Sequence, residues 1–487
     1  MQELSINDIH QRFSENQLTV AELTRYYLDQ IKQQAQLGAV ITVNPDAITI
    51  AEALDNALAS GQAPTKLFGV PILIKDNIET LDQMPTTAGS LLLKNHFPAC
   101  DAELVSQLRQ AGAVILGKAN LSEWANFRSN YSVSGWSAMG GQARNPYDTS
   151  RSPSGSSAGS AIAVAANLTM LAVGTETDGS VVCPAALNGV VGIKPTHGSI
   201  SNKGIIPLAG SQDVAGPMAR NVSDAVKLLE SMRIKAVAKS RTGPISEPLC
   251  DHLIADGLRG KTLGVVTNLM GYHPATDLVF ARAVKDLESA GTKIVQGKLP
   301  NLREISKYEY QVLLYEFKTG IAQYLQDHAS QNQAQSKLPY STLADLIAAN
   351  EKIADLELGD FGQDVFIEAQ SKGTLHDEEY IKALEACKRL SGPKGIDATL
   401  AASGADILIA PTMSPAWKID RIMGDHFTGG ASMVPAVSGY PHITLPMGFV
   451  KNLPVGLSMF ATKDSEAQLI EAAYAFEQAT LHRRPPS

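Results

Sequence analysis

Twenty-five residues from Gly135 to Gly159 (GWSAMGGQARNPYDTSRSPSGSSAG) carry no hydrophobic period and are dominated by Gly, Ser, Pro, Asn and Asp. Such a stretch has to be loop. A loop of that length inside a globular chain usually carries function. It is followed by a helix candidate built of small residues, Ser160–Asn167 (SAIAVAAN), by a strand over Met170–Gly174, and by a second Gly-rich turn, Thr175–Ser180 (TETDGS). Two serine-bearing turns therefore bracket one short helix and one strand.

The rest of the chain alternates strands with helices. The first 35 residues read as helical: Thr19–Glu22 (TVAE) fits a capping box, and Val20, Leu23, Tyr27 and Ile31 then fall on one face. Phe68–Ile78 (FGVPILIKDNI) and Ala113–Leu116 (AVIL) are short apolar runs of buried-strand type, the first ending near a lysine, Lys75. Further on, strands are expected at Thr262–Val266, Thr292–Val295, Asp406–Ile409 and His442–Pro446, with a helix over Val279–Ala290 and a mainly helical stretch near 299–400. This alternation indicates α/β layers. No internal repeat and no linker divides the 487 residues, so a single compact domain is expected. Within it, 1–65 reads as an N-terminal helical region, 66–235 as the core with the candidate catalytic residues, and 236–487 as a C-terminal α/β part.

Composition removes several classes of function. A formal net charge of -8 gives no basic surface for a phosphate backbone, so nucleic acid is not an expected ligand. No stretch approaches the 18 or so apolar residues that a membrane span requires, and the N-terminus lacks a secretory pattern, so a cytoplasmic protein is expected. The four cysteines, Cys100, Cys183, Cys250 and Cys387, form no CxxC pair and read as reduced, mostly buried thiols. The ten histidines show no HExxH motif or close pair, and no phosphate-binding glycine motif is present, so neither a metal nor a cofactor is expected.

Gly155-Ser156-Ser157-Ala158-Gly159 matches GxSxG and nominates Ser157 as an α/β-hydrolase nucleophile. That motif needs a strand running straight into a sharp turn, and here a Pro-rich loop precedes it, which argues against the assignment. Ser180 sits after Gly179 in a tight turn beyond a strand. Successive backbone N–H groups in such a turn can converge as an anion-binding nest, so nucleophile and oxyanion donors can share one segment. Asp148 and Arg151 in the long loop read as an ion pair, as partners of the serine turn, or as solvated side chains. His197 reads as structural.

Four segments, VPILIKDN (Val70–Asn77), SPSGSSAGSAIAVAAN (Ser152–Asn167), LAVGTETDGS (Leu171–Ser180) and VCPAALNGVVGIKPTHGSIS (Val182–Ser201), together resemble the amidase signature family in content and order. The resemblance implies a central mixed, twisted β-sheet covered by helices on both faces. It also implies Ser180 as nucleophile, Ser156 as a bridging serine in a cis peptide, Lys75 as base, Ser157 in support, and an oxyanion hole from the backbone N–H groups of Thr177, Asp178, Gly179 and Ser180. One departure stands out: many members carry two glycines before the nucleophile, and this chain has Asp178-Gly179. TETDGS, RNPYDTSRSP, LLYEFKTG (Leu313–Gly320) and GPKGIDA (Gly392–Ala398) resemble the bacterial peptide amidases, which implies deamidation of C-terminal peptide amides.

A lysine acts as base only when neutral, and its ordinary pKa of about 10.4 has to be lowered by burial. Asp76, next to Lys75, would oppose this unless it faces the other way. The substrates expected are small-molecule or short-peptide amides, acted on by a monomer or homodimer. The alternatives are the amidase subunit of a tRNA-dependent amidotransferase, a broad aliphatic or aryl amidase, and a catalytically dead binding protein on the same scaffold.

Overall fold

The structure, a computed structural model, describes residues 3–234, 248–330 and 338–486. The expected boundary between 235 and 236, and residues 331–337 of the expected helical stretch, lie outside the described residues.

The N-terminal capping box forms as expected: Thr19 Oγ1 accepts from the Glu22 N–H at 3.1 Å and the Glu22 carboxylate accepts from the Thr19 N–H at 2.9 Å, opening the helix Val20–Gln33. Val20, Leu23, Tyr27 and Ile31 are all buried along it.

The strands are β1 Val40–Val43, β2 Pro71–Lys75, β3 Val114–Ala119, β4 Trp136–Ser137, β5 Gly141–Gln142, β6 Leu171–Glu176, β7 Val191–Lys194, β8 Val214–Ala219, β9 Thr262–Val266, β10 Lys293–Gly297, β11 Ile407–Pro411, β12 His442–Val450 and β13 Leu453–Phe460. Eleven of them make one mixed sheet in the order β1-β3-β2-β6-β8-β7-β12-β13-β11-β9-β10. Helices flank it, in one domain, so the α/β layers read from the sequence are borne out. β4 and β5 form a separate small hairpin inside the stretch expected to be pure loop.

β2 runs parallel to both β3 and β6, and every residue of the three strands is buried. Parallel strands covered on both faces read as continuous apolar runs rather than alternating ones, which is why PILI and AVIL stand out as segments. The helix after the serine loop starts at Ala158, two residues earlier than expected, and ends at Ala165. It packs against β2, β3, β6 and β8. Its small residues are required by that approach: a Cβ at Gly159 would lie 2.2 Å from the Ala39 carbonyl oxygen and 2.5 Å from the Asn120 nitrogen. β6 runs on to Glu176, so Thr175 and Glu176 belong to the strand and the turn proper is shorter than the sequence suggested.

The mainly helical stretch is observed as Leu302–Ser330, Leu343–Lys352, Asp364–Gln370 and Glu378–Ser391, with shorter turns between and after them. No described helix is long and apolar enough to cross a membrane.

Candidate active site

Parallel pairing of β2 with β6, Ile74 opposite Val173, brings both C-terminal ends to the same edge of the sheet. In open α/β sheets this is the edge at which ligands bind. Lys75 ends β2 with no exposed surface, and Thr175 lies beside it near the end of β6. Lys75 Nζ is 2.7 Å from Ser156 Oγ, 2.9 Å from Thr175 Oγ1 and 3.2 Å from the Thr175 carbonyl oxygen. The carbonyl can only accept. Thr175 Oγ1 also accepts from Asn77 Nδ2 at 3.0 Å. A neutral amine has two N–H donors and one lone pair; the Thr175 carbonyl takes one donor, and Ser156, the nearer of the two hydroxyls, is placed to give its proton to the lone pair.

Burial pushes the Lys75 ammonium down to about 7, against the negative charges of Asp213 and Glu176, which raise it. Both carboxylates are held by donors of their own. Asp213 accepts from the Thr177 hydroxyl at 2.6 Å and from the N–H groups of Leu208 and Ala209, and Glu176 accepts from Val181 and Val182 N–H at 2.8 and 3.0 Å. Asp76, the expected complication, faces elsewhere: the Thr87 hydroxyl donates to it, and the buried Lys118 Nζ stands 3.9 Å away.

The Gly155–Ser156 peptide bond is cis. Ser156 is 1% exposed, and its carbonyl accepts from Ser122 N–H at 2.9 Å. Gly155 has no room for a side chain, since a Cβ would lie 2.2 Å from Ser122 Oγ. Ser157 is fully buried; its hydroxyl donates to the Thr175 carbonyl at 3.1 Å and accepts from Thr175 N–H at 3.2 Å. It therefore clamps β6 to the serine segment, and the GxSxG match does not present it to a substrate. Gly174 makes room for that clamp, a Cβ there falling 2.6 Å from Ser157 Oγ.

Ser157 N–H donates to the Ser180 carbonyl at 3.2 Å, so the two serine turns touch directly. Ser180 is 8% exposed, the most accessible of Lys75, Ser156 and Ser180. Its hydroxyl makes no hydrogen bond among the described residues, Ser156 Oγ being engaged with Lys75 Nζ. Gly179 has φ of 75°, which turns the backbone sharply, and a Cβ on it would strike Cys183 Sγ at 2.8 Å. The N–H groups of Thr177, Asp178 and Ser180 have no protein acceptor among the described residues. Burial raises the Asp178 carboxyl to about 6, and burial, with the charge of Asp178 beside it, pushes Glu309 well above the usual carboxylate range.

A narrow cleft opens beside this edge, lined by Asn77, Thr175 and Thr177 and by apolar groups that include Trp124, Ile206 and Phe317. The indole N–H of Trp124 is buried and has no partner among the described residues.

The residue pattern of the amidase family matches residues 22–470. The chain belongs to that family. It is 40% identical, over all of its own length and 92% of the relative's, to a probable amidase of Arabidopsis thaliana. It is 32% identical to a glutamyl-tRNA(Gln) amidotransferase subunit of Methanosarcina barkeri, over 99% of this chain and 98% of that one. Among solved structures, the native peptide amidase from Stenotrophomonas maltophilia aligns with a TM-score of 0.93 and 46% identity, over 100% of this chain and 99% of that one. The peptide amidase PAM in complex with the competitive inhibitor chymostatin aligns with a TM-score of 0.95 and the same identity and coverage.

The fold thus places Lys75 against Ser156 and joins the two serine turns through Ser157 N–H and the Ser180 carbonyl. Other candidates lie elsewhere. Arg151 pairs with Asp148 at 3.0 Å and donates to the Ala416 carbonyl, anchoring the long loop to the segment around Trp417 rather than orienting the serine turn. His197 is held by backbone groups of Gly439 and Gly210, in keeping with a structural role. The cysteines are free, but only Cys183 and Cys387 are buried; Cys100 is exposed and Cys250 half-buried. Thr175, Asn77 and Asp213 were not singled out from sequence. The first two lie inside or beside the matching segments, yet no spacing rule assigns them to a lysine.

Proposed function

We propose that the chain hydrolyses carboxamides through an acyl-enzyme on Ser180, and that its substrates are C-terminal peptide amides from which it releases ammonia. The observation that carries the chemistry is the 2.7 Å contact between Ser156 Oγ and a Lys75 amine that burial brings to about 7. Neutral Lys75 takes the Ser156 proton while Ser156 takes that of Ser180. Ser180 Oγ attacks the amide carbon, and the carbonyl oxygen becomes an oxyanion facing the N–H groups of Thr177, Asp178, Gly179 and Ser180. The relay then delivers the proton to the departing nitrogen, ammonia leaves, and water attacks the ester by the same route to release the acid.

The substrate class is supported by the end-to-end similarity to the peptide amidase structures and by the apolar groups that line the cleft together with Thr175 and Thr177. The free enzyme, without partner or tRNA, is expected to release ammonia from an amidated dipeptide much faster than it releases ammonia from glutamine or an arylamine from an aryl acylamide. Ammonia release from glutamine alone would instead favour the amidotransferase reading, whose relatives this chain resembles at 32% identity.

A further inference from the structure

Away from the serines, three distant segments place a carboxylate and two imidazoles at one point. Glu79 lies four residues beyond Lys75, His96 follows the short turn Leu91–Leu93, and His328 is near the end of helix Leu302–Ser330. One donor atom from each lies within 4.8 Å of the other two. His328 Nε2 is 2.7 Å and His96 Nε2 4.0 Å from the same Glu79 oxygen. The Tyr324 hydroxyl, one helical turn before His328, lies 2.7 Å from that oxygen and 2.8 Å from His96 Nε2. Glu79 and His96 are buried, and His328 keeps 11% of its side chain exposed.

The orientation of His328 is fixed by its other nitrogen. Nδ1 is 2.8 Å from the Tyr324 carbonyl, which can only accept, so Nδ1 carries a hydrogen. In the neutral ring Nε2 then presents a lone pair to a carboxylate oxygen at hydrogen-bond distance, and two acceptors cannot face each other there. A positive centre has to lie between them, either a proton or a metal ion. An imidazole that donates its second N–H to a backbone carbonyl is the arrangement that orients metal-bound histidines.

We propose that Glu79, His96 and His328 form a binding site for a zinc-type divalent transition metal, with the Tyr324 hydroxyl as a fourth, closing oxygen. Two imidazoles and one carboxylate suit zinc better than calcium or magnesium. Zinc holds such ligands at about 2.0–2.2 Å, which sets donor atoms roughly 3.4 Å apart. The 2.7 and 4.0 Å separations bracket that value, so side-chain shifts of about 1 Å or less complete the site. With four donors the site is closed, and its role is structural: it fastens helix Leu302–Ser330 to the segment that leaves β2 beyond Lys75. No sequence motif announces it, because Glu79 and His96 meet His328 and Tyr324 from a helix more than 200 residues further along the chain. This inference does not depend on the substrate reading above.

Titrating zinc chloride into chelator-treated, dialysed enzyme is expected to show one ion bound per chain by calorimetry and a higher melting temperature. Cobalt(II) in its place is expected to give the visible absorption of a four-coordinate ion, and magnesium to do neither. His96→Ala and His328→Ala are each expected to weaken zinc by more than about 100-fold, since even losing an outer partner costs 10–100-fold. Tyr324→Phe tests the fourth oxygen and is expected to weaken zinc by a smaller factor. No saturable uptake of zinc or cobalt by the wild-type enzyme at submillimolar concentration overturns the proposal and leaves a proton on His328 between the groups. Uptake unchanged in both histidine variants overturns it equally.

Discussion

Ser180→Ala is expected to lower ammonia release from an amidated peptide by at least roughly 10⁴-fold, the scale on which removal of a serine nucleophile acts, while the variant unfolds at the wild-type temperature. No neighbouring hydroxyl can take over. Ser157 is fully buried and bonded twice to the Thr175 backbone, and Ser156 is 1% exposed and already engaged with Lys75. The fold should tolerate the change because the Ser180 hydroxyl makes no hydrogen bond among the described residues, and the carbonyl that receives Ser157 N–H is backbone. Mass spectrometry of a slow ester substrate should trap an acyl group on the peptide containing Ser180 in the wild type and none in the variant. Residual turnover near the wild-type rate would transfer the nucleophile's role elsewhere and reject the relay.

Lys75→Met is the second large effect. Methionine fills much of the same volume without charge, so the chain should fold, and loss of the base should cost about 10²–10⁴-fold in kcat. Lys75→Arg separates the two roles a lysine could play: it keeps a cation and never yields a neutral base, and it should be as inactive as Lys75→Met. In the wild type the base is active only when deprotonated. Burial sets that change at about 7, so kcat/KM should fall tenfold per pH unit below it and level off above it. An acid limb centred near 4 would point to a carboxylate, and full activity in Lys75→Arg would show that positive charge rather than basicity is what matters.

How far the sequence revealed this molecule varied with the kind of signal involved. The helix opened by Thr19 and the strand carrying Lys75 were legible because each is specified locally, by a capping pair and by an apolar run. β7 (VGIK), β8 (VAGPMA) and β13 (LPVGLSMF) were not, although all are fully buried. They sit between neighbours on both sides of the sheet and mix Gly and Pro into short segments, so neither alternation nor a long apolar run marks them. The same divide runs through the site. Ser156, Ser180 and Lys75 lie in segments whose composition is unusual, whereas Thr175, which accepts from the lysine, looks like any strand threonine, and Asp213 becomes relevant only once β6 and β8 pair.

The depth at which Lys75 is buried also bears on how the protein resists unfolding. Lys118 and Lys194 are buried as well, and burial brings both down to about 8. In an unfolded chain all three would keep their protons until about pH 10. Between about 7 and 10 the unfolded chain therefore binds more protons than the native one, and stability rises with pH across that window. Asp76, Asp178 and Asp213, raised by burial to about 6, act in the opposite sense at lower pH, where the unfolded chain ionises first and stability falls between about 4 and 6. The molecule should be hardest to melt on the alkaline side of neutrality, and a melting temperature that fell steadily from pH 7 to 9 would contradict this. One proton, leaving one amine, both arms the catalyst and relieves the fold of a buried charge, so conditions that favour turnover also prolong the life of the enzyme.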